Sequence, residues 1–280
     1  MSKYSVEDEE LSGLSGKVIL ITGAATGIGR STAKLAHRNG AKVAFCDVNE
    51  AKGRDLEREL KTNILFNKCD VSNWGDVASF FEETYSTLGP IDAVISNAAS
   101  NKHESTAPTS TLTAPDLSVL NVNLIGTWYV ATCAIHFFNK HPDKASQLVL
   151  MGSVASYIDT PPLYTYCASK SGVLGLMRGL RTQLLKHNIS VNMIAPWFTI
   201  TAMVAEDIKR LWGDLPANTP EDVAKASLVP VIRPEINGKS FIVHGKEFTD
   251  VEDKLDQTQH LWMGSELDEA MREGQRRLIP

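Results

Sequence analysis

Seven short, uniformly apolar runs recur along this chain, with longer stretches of helical character between them. They are Val18 to Ile21, Val43 to Cys46, Ile64 to Phe66, Ala93 to Ile95, Leu148 to Met151, Val191 to Ile194 and Phe241 to Val243. Runs that are apolar at every position, rather than at every second one, fit strands covered on both faces, as in parallel sheets. The segments between them, such as Ser31 to Asn39 and Ser171 to Lys186, place apolar residues three and four apart, the spacing of one helix face. This alternation predicts an α/β fold: a doubly wound, parallel, seven-stranded sheet with right-handed crossovers and helices on both faces.

No repeat or low-complexity linker breaks the alternation, so the 280 residues read as one domain. Its expected core spans residues 14–245, and residues 246–280 read as a helical extension in which Ser265 and Asp268 have capping-box spacing. The net charge of -5 and the lack of a Lys/Arg cluster argue against a nucleic-acid partner. Glu7, Asp8, Glu9 and Glu10 read as a solvated tail. No basic leader or long uninterrupted apolar stretch appears, so no membrane partner is expected and a cytoplasmic location is the default. Cys46, Cys69, Cys133 and Cys167 have neither CxxC pairing nor His spacing, so they are expected as free thiols and no metal site is predicted.

The first apolar run leads directly into Thr22-Gly23-Ala24-Ala25-Thr26-Gly27-Ile28-Gly29, and a helical stretch begins at Arg30. Residues without a Cβ let a backbone turn tightly and approach a pyrophosphate, which then meets free N–H groups and the positive end of a helix dipole. Gly23, Thr26, Gly27, Ile28 and Gly29 are therefore candidate dinucleotide-binding residues. Asp47 ends the second strand, 18 residues beyond Gly29. A carboxylate there accepts hydrogen bonds from the adenosine ribose and repels a 2′-phosphate, which favours NAD over NADP. Against this, a strand-end Asp is also a common turn residue, and Arg30 or Arg54 lies close enough in sequence to approach a phosphate.

Tyr166 and Lys170 stand four apart at the start of a helical stretch, on one helix face. A phenol titrates near pH 10 and is a poor base at neutrality unless a nearby ammonium stabilises the phenolate. Ser153 follows the fifth apolar run, 13 residues before Tyr166, and Asn123 lies in the helix preceding that run. Tyr157 and Tyr164 have no Lys four residues on and are assigned to pocket or packing.

Taken in order, Thr22 to Gly29, Asp70-Val71, Asn97-Ala98-Ala99, Asn123, Ser153 and Tyr166/Lys170 resemble the motif set of the short-chain dehydrogenase/reductase family, over about residues 14–245. The resemblance implies a Rossmann-type sheet and a catalytic set of Asn123, Ser153, Tyr166 and Lys170. Ser153 would orient the substrate oxygen, and Tyr166 would exchange the hydroxyl proton while hydride passes between the substrate carbon and nicotinamide C4. Lys170 would lower the Tyr166 pKa and hold the nicotinamide ribose, and Asn123 would position a water leading from Lys170 to solvent. Asp70 and Val71 would contact adenine, and Asn97 with Ala98 would brace the sheet beside the cofactor. Pro196, Thr199 and Thr201 are expected at the nicotinamide end. Family members commonly pair through the two long helices that here carry Asn123 and Tyr166, so a homodimer or homotetramer is implied.

Departures from the pattern bear on the substrate. Trp197 follows Pro196 where the family has Gly, so its indole must point away or narrow the pocket. Ser96 and Ala99 replace the usual Asn and Gly. Residues about 198–218 read as a closing, apolar substrate loop carrying Phe198, Met203, Val204, Leu211 and Trp212. With Val154, Leu163, Trp197, Phe198 and Met203 as pocket residues, a bulky, largely apolar secondary alcohol or ketone is expected. The chain is also similar to the 15-hydroxyprostaglandin-dehydrogenase-like branch and to dehydrogenases of fungal secondary metabolism. Two other readings keep the fold: a non-redox biosynthetic step such as isomerisation, cyclisation or elimination, favoured by Trp197, and a nucleotide-sensing interaction protein.

Overall fold

The computed structural model describes residues 3–102 and 112–278. The seven apolar runs form β2 (Val18–Thr22), β3 (Lys42–Asp47), β4 (Ile64–Lys68), β5 (Ala93–Ser96), β6 (Ser146–Met151), β7 (Ile189–Pro196) and β8 (Ser240–His244), and every neighbouring pair among them is parallel. Their spatial order is β4-β3-β2-β5-β6-β7-β8. The chain runs outward from β2 to β4, then returns past β2 to β5, so the order reverses between β2 and β5. A crevice opens at the carboxyl ends of the strands at such a reversal.

The helices follow in alternation: α1 (Gly27–Arg38), α2 (Glu50–Leu60), α3 (Trp74–Leu88), α4 (Ser118–Leu120) running on through a π turn at Asn121–Gly126 into α5 (Thr127–Phe138), α6 (Tyr164–Gln183), α7 (Glu206–Trp212) and α8 (Pro220–Ile232). The uniform apolarity of the strands has a direct cause. Ile19, Ile21, Val43, Phe45, Ile95 and Val149 point into one core, formed with α1 and α8, and the alternate residues Leu20, Ala44, Cys46, Val94, Leu148 and Leu150 point into a second, formed with α3, α5 and α6. Ser118–Phe138 is the one helix among the described residues long and apolar enough to cross a membrane, and its buried residues join the second core.

Three expectations are corrected. The sheet has nine strands, because β9 (Glu247–Asp250) folds back antiparallel on β8 and β1 (Lys3–Tyr4) adds antiparallel to β9. Glu247-Phe248-Thr249-Asp250 alternates in burial as an edge strand does, so it lacks the continuous apolar signature. The acidic run is solvent-exposed but is not a free tail: Asp8–Leu14 forms a 3-10 turn that buries Leu11 and Leu14, and the exposed Asp8 and Glu10 pair with Lys225 (2.6 Å) and Arg233 (2.8 Å) at α8. The extension is helical beyond β9, as α9 (Glu252–Gln257), α10 (Gln259–Met263) and α11 (Ser265–Leu278). Asp268, however, binds forward to Arg272 (3.0 Å) rather than capping back to Ser265.

Candidate active site

The turn after β2 needs its glycines. Gly23 has φ +67°, and a Cβ there would lie 2.6 Å from the Ala98 Cα. A Cβ on Gly29 would lie 2.3 Å from the Gly23 carbonyl and 2.6 Å from Asn97 Nδ2. Thr26 caps α1 in extended conformation without a side-chain hydrogen bond, so the first-turn N–H groups at Gly27, Ile28 and Gly29 keep their capacity for an anion. The cradle is held open by Asn97, whose Nδ2 donates to the carbonyls of Thr22 and Gly23, both at 2.9 Å. Thr22 Oγ1 accepts from the N–H groups of Asn97 (3.1 Å) and Ala98 (3.0 Å). The ends of β2 and β5 are thereby locked together at the reversal point.

Asp47 stands at the end of β3 against this turn. Its Oδ2 accepts from the Ala25 N–H (3.0 Å) and its Oδ1 from the Asn49 N–H (2.9 Å). An ionised carboxylate has about four acceptor positions, so two remain. Asp70 Oδ1 accepts from the N–H and hydroxyl of Ser72 (2.9 and 2.7 Å), which shapes the turn after β4. Val71 is buried beneath the π turn, where a Cβ on Gly126 would come within 2.9 Å of its Cγ2. The Val71 side chain thus packs against the π turn.

The carboxyl ends of β5 and β6 and the start of α6 gather the remaining candidates. Ser153 caps the 3-10 turn Val154–Ser156, its Oγ accepting from the Ala155 N–H (3.1 Å). Ser156, which the sequence reading missed, accepts from the Ser153 N–H (3.3 Å) and donates to the Lys170 carbonyl (2.8 Å), tying this turn to α6. One turn apart on α6, Lys170 Nζ lies 5.5 Å from the centre of the Tyr166 ring. Lys170 is only 1% exposed and donates to the Met151 carbonyl (2.7 Å).

Burial sets the electrostatics of this pair. It pulls the Lys170 ammonium down to about 7. It also raises the Tyr166 phenol, against the opposing pull of a hydrogen bond with the Ser153 hydroxyl. Burial thus disfavours the charged form of each group, and it opposes the lowering of Tyr166 expected from a neighbouring ammonium.

Asn123 is tied into the protein on both sides of its amide. It lies in the π turn, fully buried, with Oδ1 accepting from the Ser100 N–H (2.8 Å). Its Nδ2 donates to the Ser100 carbonyl (2.9 Å) and to Ser169 Oγ (3.0 Å), and Ser169 in turn donates to the Tyr166 carbonyl (2.7 Å). Both amide protons are engaged with protein, so the Asn123 side chain braces the first turn of α6. Tyr157 donates to Glu252 Oε1 (2.9 Å) and Tyr164 is exposed, consistent with their assignment outside the reacting groups.

Beyond β7, which ends at Pro196, the chain turns into the substrate loop. Thr201 reaches back to the dinucleotide turn, its Cγ2 3.5 Å from where a Cβ on Gly27 would stand. Thr199 is buried and donates to the Trp197 carbonyl (2.9 Å). Trp197 and Phe198 are engaged within the loop: the Trp197 ring meets Trp212 edge-on at 5.5 Å, and Phe198 stacks on Trp212 at 4.0 Å and 6°. The indole therefore packs within the lid. Met203 is half-exposed, Val154 is buried and Leu163 is partly buried at the N-cap of α6.

Asn218 closes the base of this loop and was not singled out from sequence. Its N–H donates to the Phe198 carbonyl (2.8 Å) and its carbonyl accepts from the Ile200 N–H (3.0 Å). Its side chain donates to the Val243 carbonyl (3.0 Å) and accepts from the Gly245 N–H (2.6 Å). No local pattern around an Asn before a Thr-Pro helix start marks it out, because all these partners are distant in sequence.

A sequence model of the short chain dehydrogenases matches residues 17–211. Over 292 aligned residues the chain is 28% identical to 5′-hydroxyaverantin dehydrogenase of Dothistroma septosporum, covering 94% of each protein. It is 35% identical over 205 residues to an NADP-dependent dehydrogenase of Cochliobolus lunatus, covering 66% of this chain and 71% of that one. Among solved structures, the 3-ketoacyl-(acyl-carrier-protein) reductase of Brucella melitensis, in complex with NADH, shares the fold with a TM-score of 0.75. That match is 24% identical and covers 82% of this chain and 98% of the reductase.

Proposed function

Because the chain belongs to the short-chain dehydrogenase family, we propose that it oxidises a bulky, largely apolar secondary alcohol to its ketone with NAD, using Tyr166 as the acid/base. The observation that carries the reading is the convergence of Ser153, Tyr166 and Lys170 at the carboxyl end of the sheet that also bears the glycine turn. The residues fit a dinucleotide: the turn folds so tightly that a Cβ at Gly23 or Gly29 would collide with Ala98 or with the Gly23 carbonyl, its helix presents free N–H groups, and Asp47 keeps acceptor positions for a ribose. When bound, that cofactor supplies a hydride acceptor at nicotinamide C4.

The chain's own residues handle the proton and the geometry. The Ser153 hydroxyl orients the substrate oxygen against Tyr166; as the carbon gives up its hydride to the cofactor, the Tyr166 phenol releases its own proton toward the neutral Lys170 amine and takes the substrate hydroxyl proton in its place. Lys170, with a pKa of about 7, matches the pH at which a proton carrier works best and receives the proton that the phenol gives up. Asn123, through Ser169, fixes the turn of α6 that holds Tyr166. Thr201 and the backbone near Pro196 and Thr199 face the nicotinamide end, and the lid with Met203 and Ile200 covers an apolar substrate. Asp47 supports NAD over NADP, and the alcohol-to-ketone direction belongs to the same proposal, together with a cytoplasmic location in which the NAD pool is oxidised.

A second reading, a non-redox biosynthetic step, rests on Trp197 standing where the family has Gly, and that indole packs on Trp212 within the substrate loop. The test is fluorescence titration with NADH and NADPH, followed by an absorbance screen with NAD and a panel of apolar secondary alcohols. Tight NADH binding with turnover is expected. Binding without turnover on any alcohol would overturn the dehydrogenase proposal in favour of a biosynthetic non-redox step.

A further inference from the structure

Three cations lie around the adenosine end of the dinucleotide site, and an acid of α2 faces each one. Arg54 pairs with Glu57 (2.9 Å) and covers the Phe66 ring, and Lys68, opposite Asp47 on β4, faces Glu50 at 3.6 Å. Arg30 is different, because it is bonded to the dinucleotide turn itself. Its guanidinium donates to the Ala25 carbonyl (3.4 Å), and the N–H of the same Ala25 donates to Asp47 (3.0 Å). A single residue of the turn thus separates this guanidinium from the carboxylate that meets the ribose. The other end of Arg30 is held by Glu59 (2.6 Å), which also binds Lys34 (2.5 Å). The Lys34 and Arg30 contacts hold the Glu59 carboxyl below its usual range, so it stays anionic at neutral pH.

We propose that Glu59 is a cofactor-specificity residue: by holding Arg30 it denies a 2′-phosphate the guanidinium that the turn already places beside Asp47. The inference rests on the NAD reading above and deepens it. Two carboxylates act in sequence. Asp47 repels the 2′-phosphate directly, and Glu59 occupies the cation that would otherwise bind it, since a guanidinium free to fork onto a phosphate is a strong ligand for it. NADH carries no phosphate there, so its binding is indifferent to Glu59.

The test is titration of NADH and NADPH fluorescence with the full chain as wild type, Asp47→Ala, Asp47→Ala/Glu59→Gln and Asp47→Ala/Glu59→Gln/Arg30→Ala. Replacing Glu59 in the Asp47→Ala background is expected to tighten NADPH about tenfold, as for a charged hydrogen bond gained at a half-exposed site. The NADH Kd should stay within about twofold of the same background, which also reports that the fold is intact. The gain should shrink as salt rises and vanish in the Arg30→Ala variant. An NADPH Kd unchanged by Glu59→Gln, or a gain that survives Arg30→Ala, overturns the proposal. Wild-type protein that prefers NADPH would overturn the NAD reading instead, and the three variants would still decide the role of Glu59.

Discussion

At the scale of single residues the chemistry divides between a proton donor and the groups that hold it. Tyr166→Phe keeps the ring and removes only the hydroxyl, so turnover should fall by at least about a thousandfold while the NADH Kd changes less than about twofold. Stopped-flow or steady-state absorbance with a fluorescence titration measures both, and retained turnover would remove Tyr166 from its role. Lys170 gives a pH signature. Burial lowers it to about 7, so it is neutral and able to accept a proton above that pH and charged below. Alcohol oxidation should therefore rise from pH 6 to 8, and Lys170→Arg, which stays charged throughout, should flatten that rise. Tyr166 and Lys170 were legible because a helix repeats every 3.6 residues and their spacing alone puts them on one face. The direction of the Tyr166 shift was not, since desolvation depends on the whole surround rather than on the neighbour four residues away.

At the scale of elements, two fastenings decide how the site is framed. The substrate loop is closed at its base by Asn218, so Asn218→Ala should raise the KM of the alcohol about fivefold or more and leave NADH binding nearly unchanged. The extension is fastened by Glu252 at the start of α9, only 4% exposed, which accepts from Arg178 and Arg181 of α6 and from Tyr157. Burial would raise this carboxyl, but the Arg178 hydrogen bond and charge prevail and hold it below its usual range. Its contribution to stability is therefore present above the ordinary carboxylate pKa and lost as pH falls through the lowered one. Glu252→Ala leaves the Arg178 guanidinium without its acceptor and Arg181 with the Gly238 carbonyl alone, and because both are partly solvated the cost should be about 2–4 kcal/mol in urea unfolding at pH 7. A loss under about half a kcal/mol would show the fastening to be decorative. The strands β2 to β8 were readable as apolar runs, whereas β1, β9 and the docking of Leu11 and Leu14 were not, because an edge strand and a short turn owe their form to the partner they meet.

At the scale of the molecule, α3 and α5 present an aromatic groove formed by Trp74, Ile125, Trp128, Tyr129 and Thr132, with Trp128 57% exposed. If the chain assembles through its long helices, Trp128→Glu should reduce the sedimentation mass toward that of a single chain, and an unchanged mass would place the interface elsewhere. The sequence by itself determined the parallel sheet, the order of its strands and helices, the glycine turn and the pairing of Tyr166 with Lys170. Each of these depends on periodicities and backbone freedoms that act over a few residues. Only the tertiary structure decided that Asn123 braces α6, that Trp197 turns into the lid, that Asn218 and Glu252 fasten distant segments, and that Arg30 is held by Glu59. These rest on partners tens of residues away, and a hydrogen bond or ion pair of that kind exists only once the sheet has brought its two ends together.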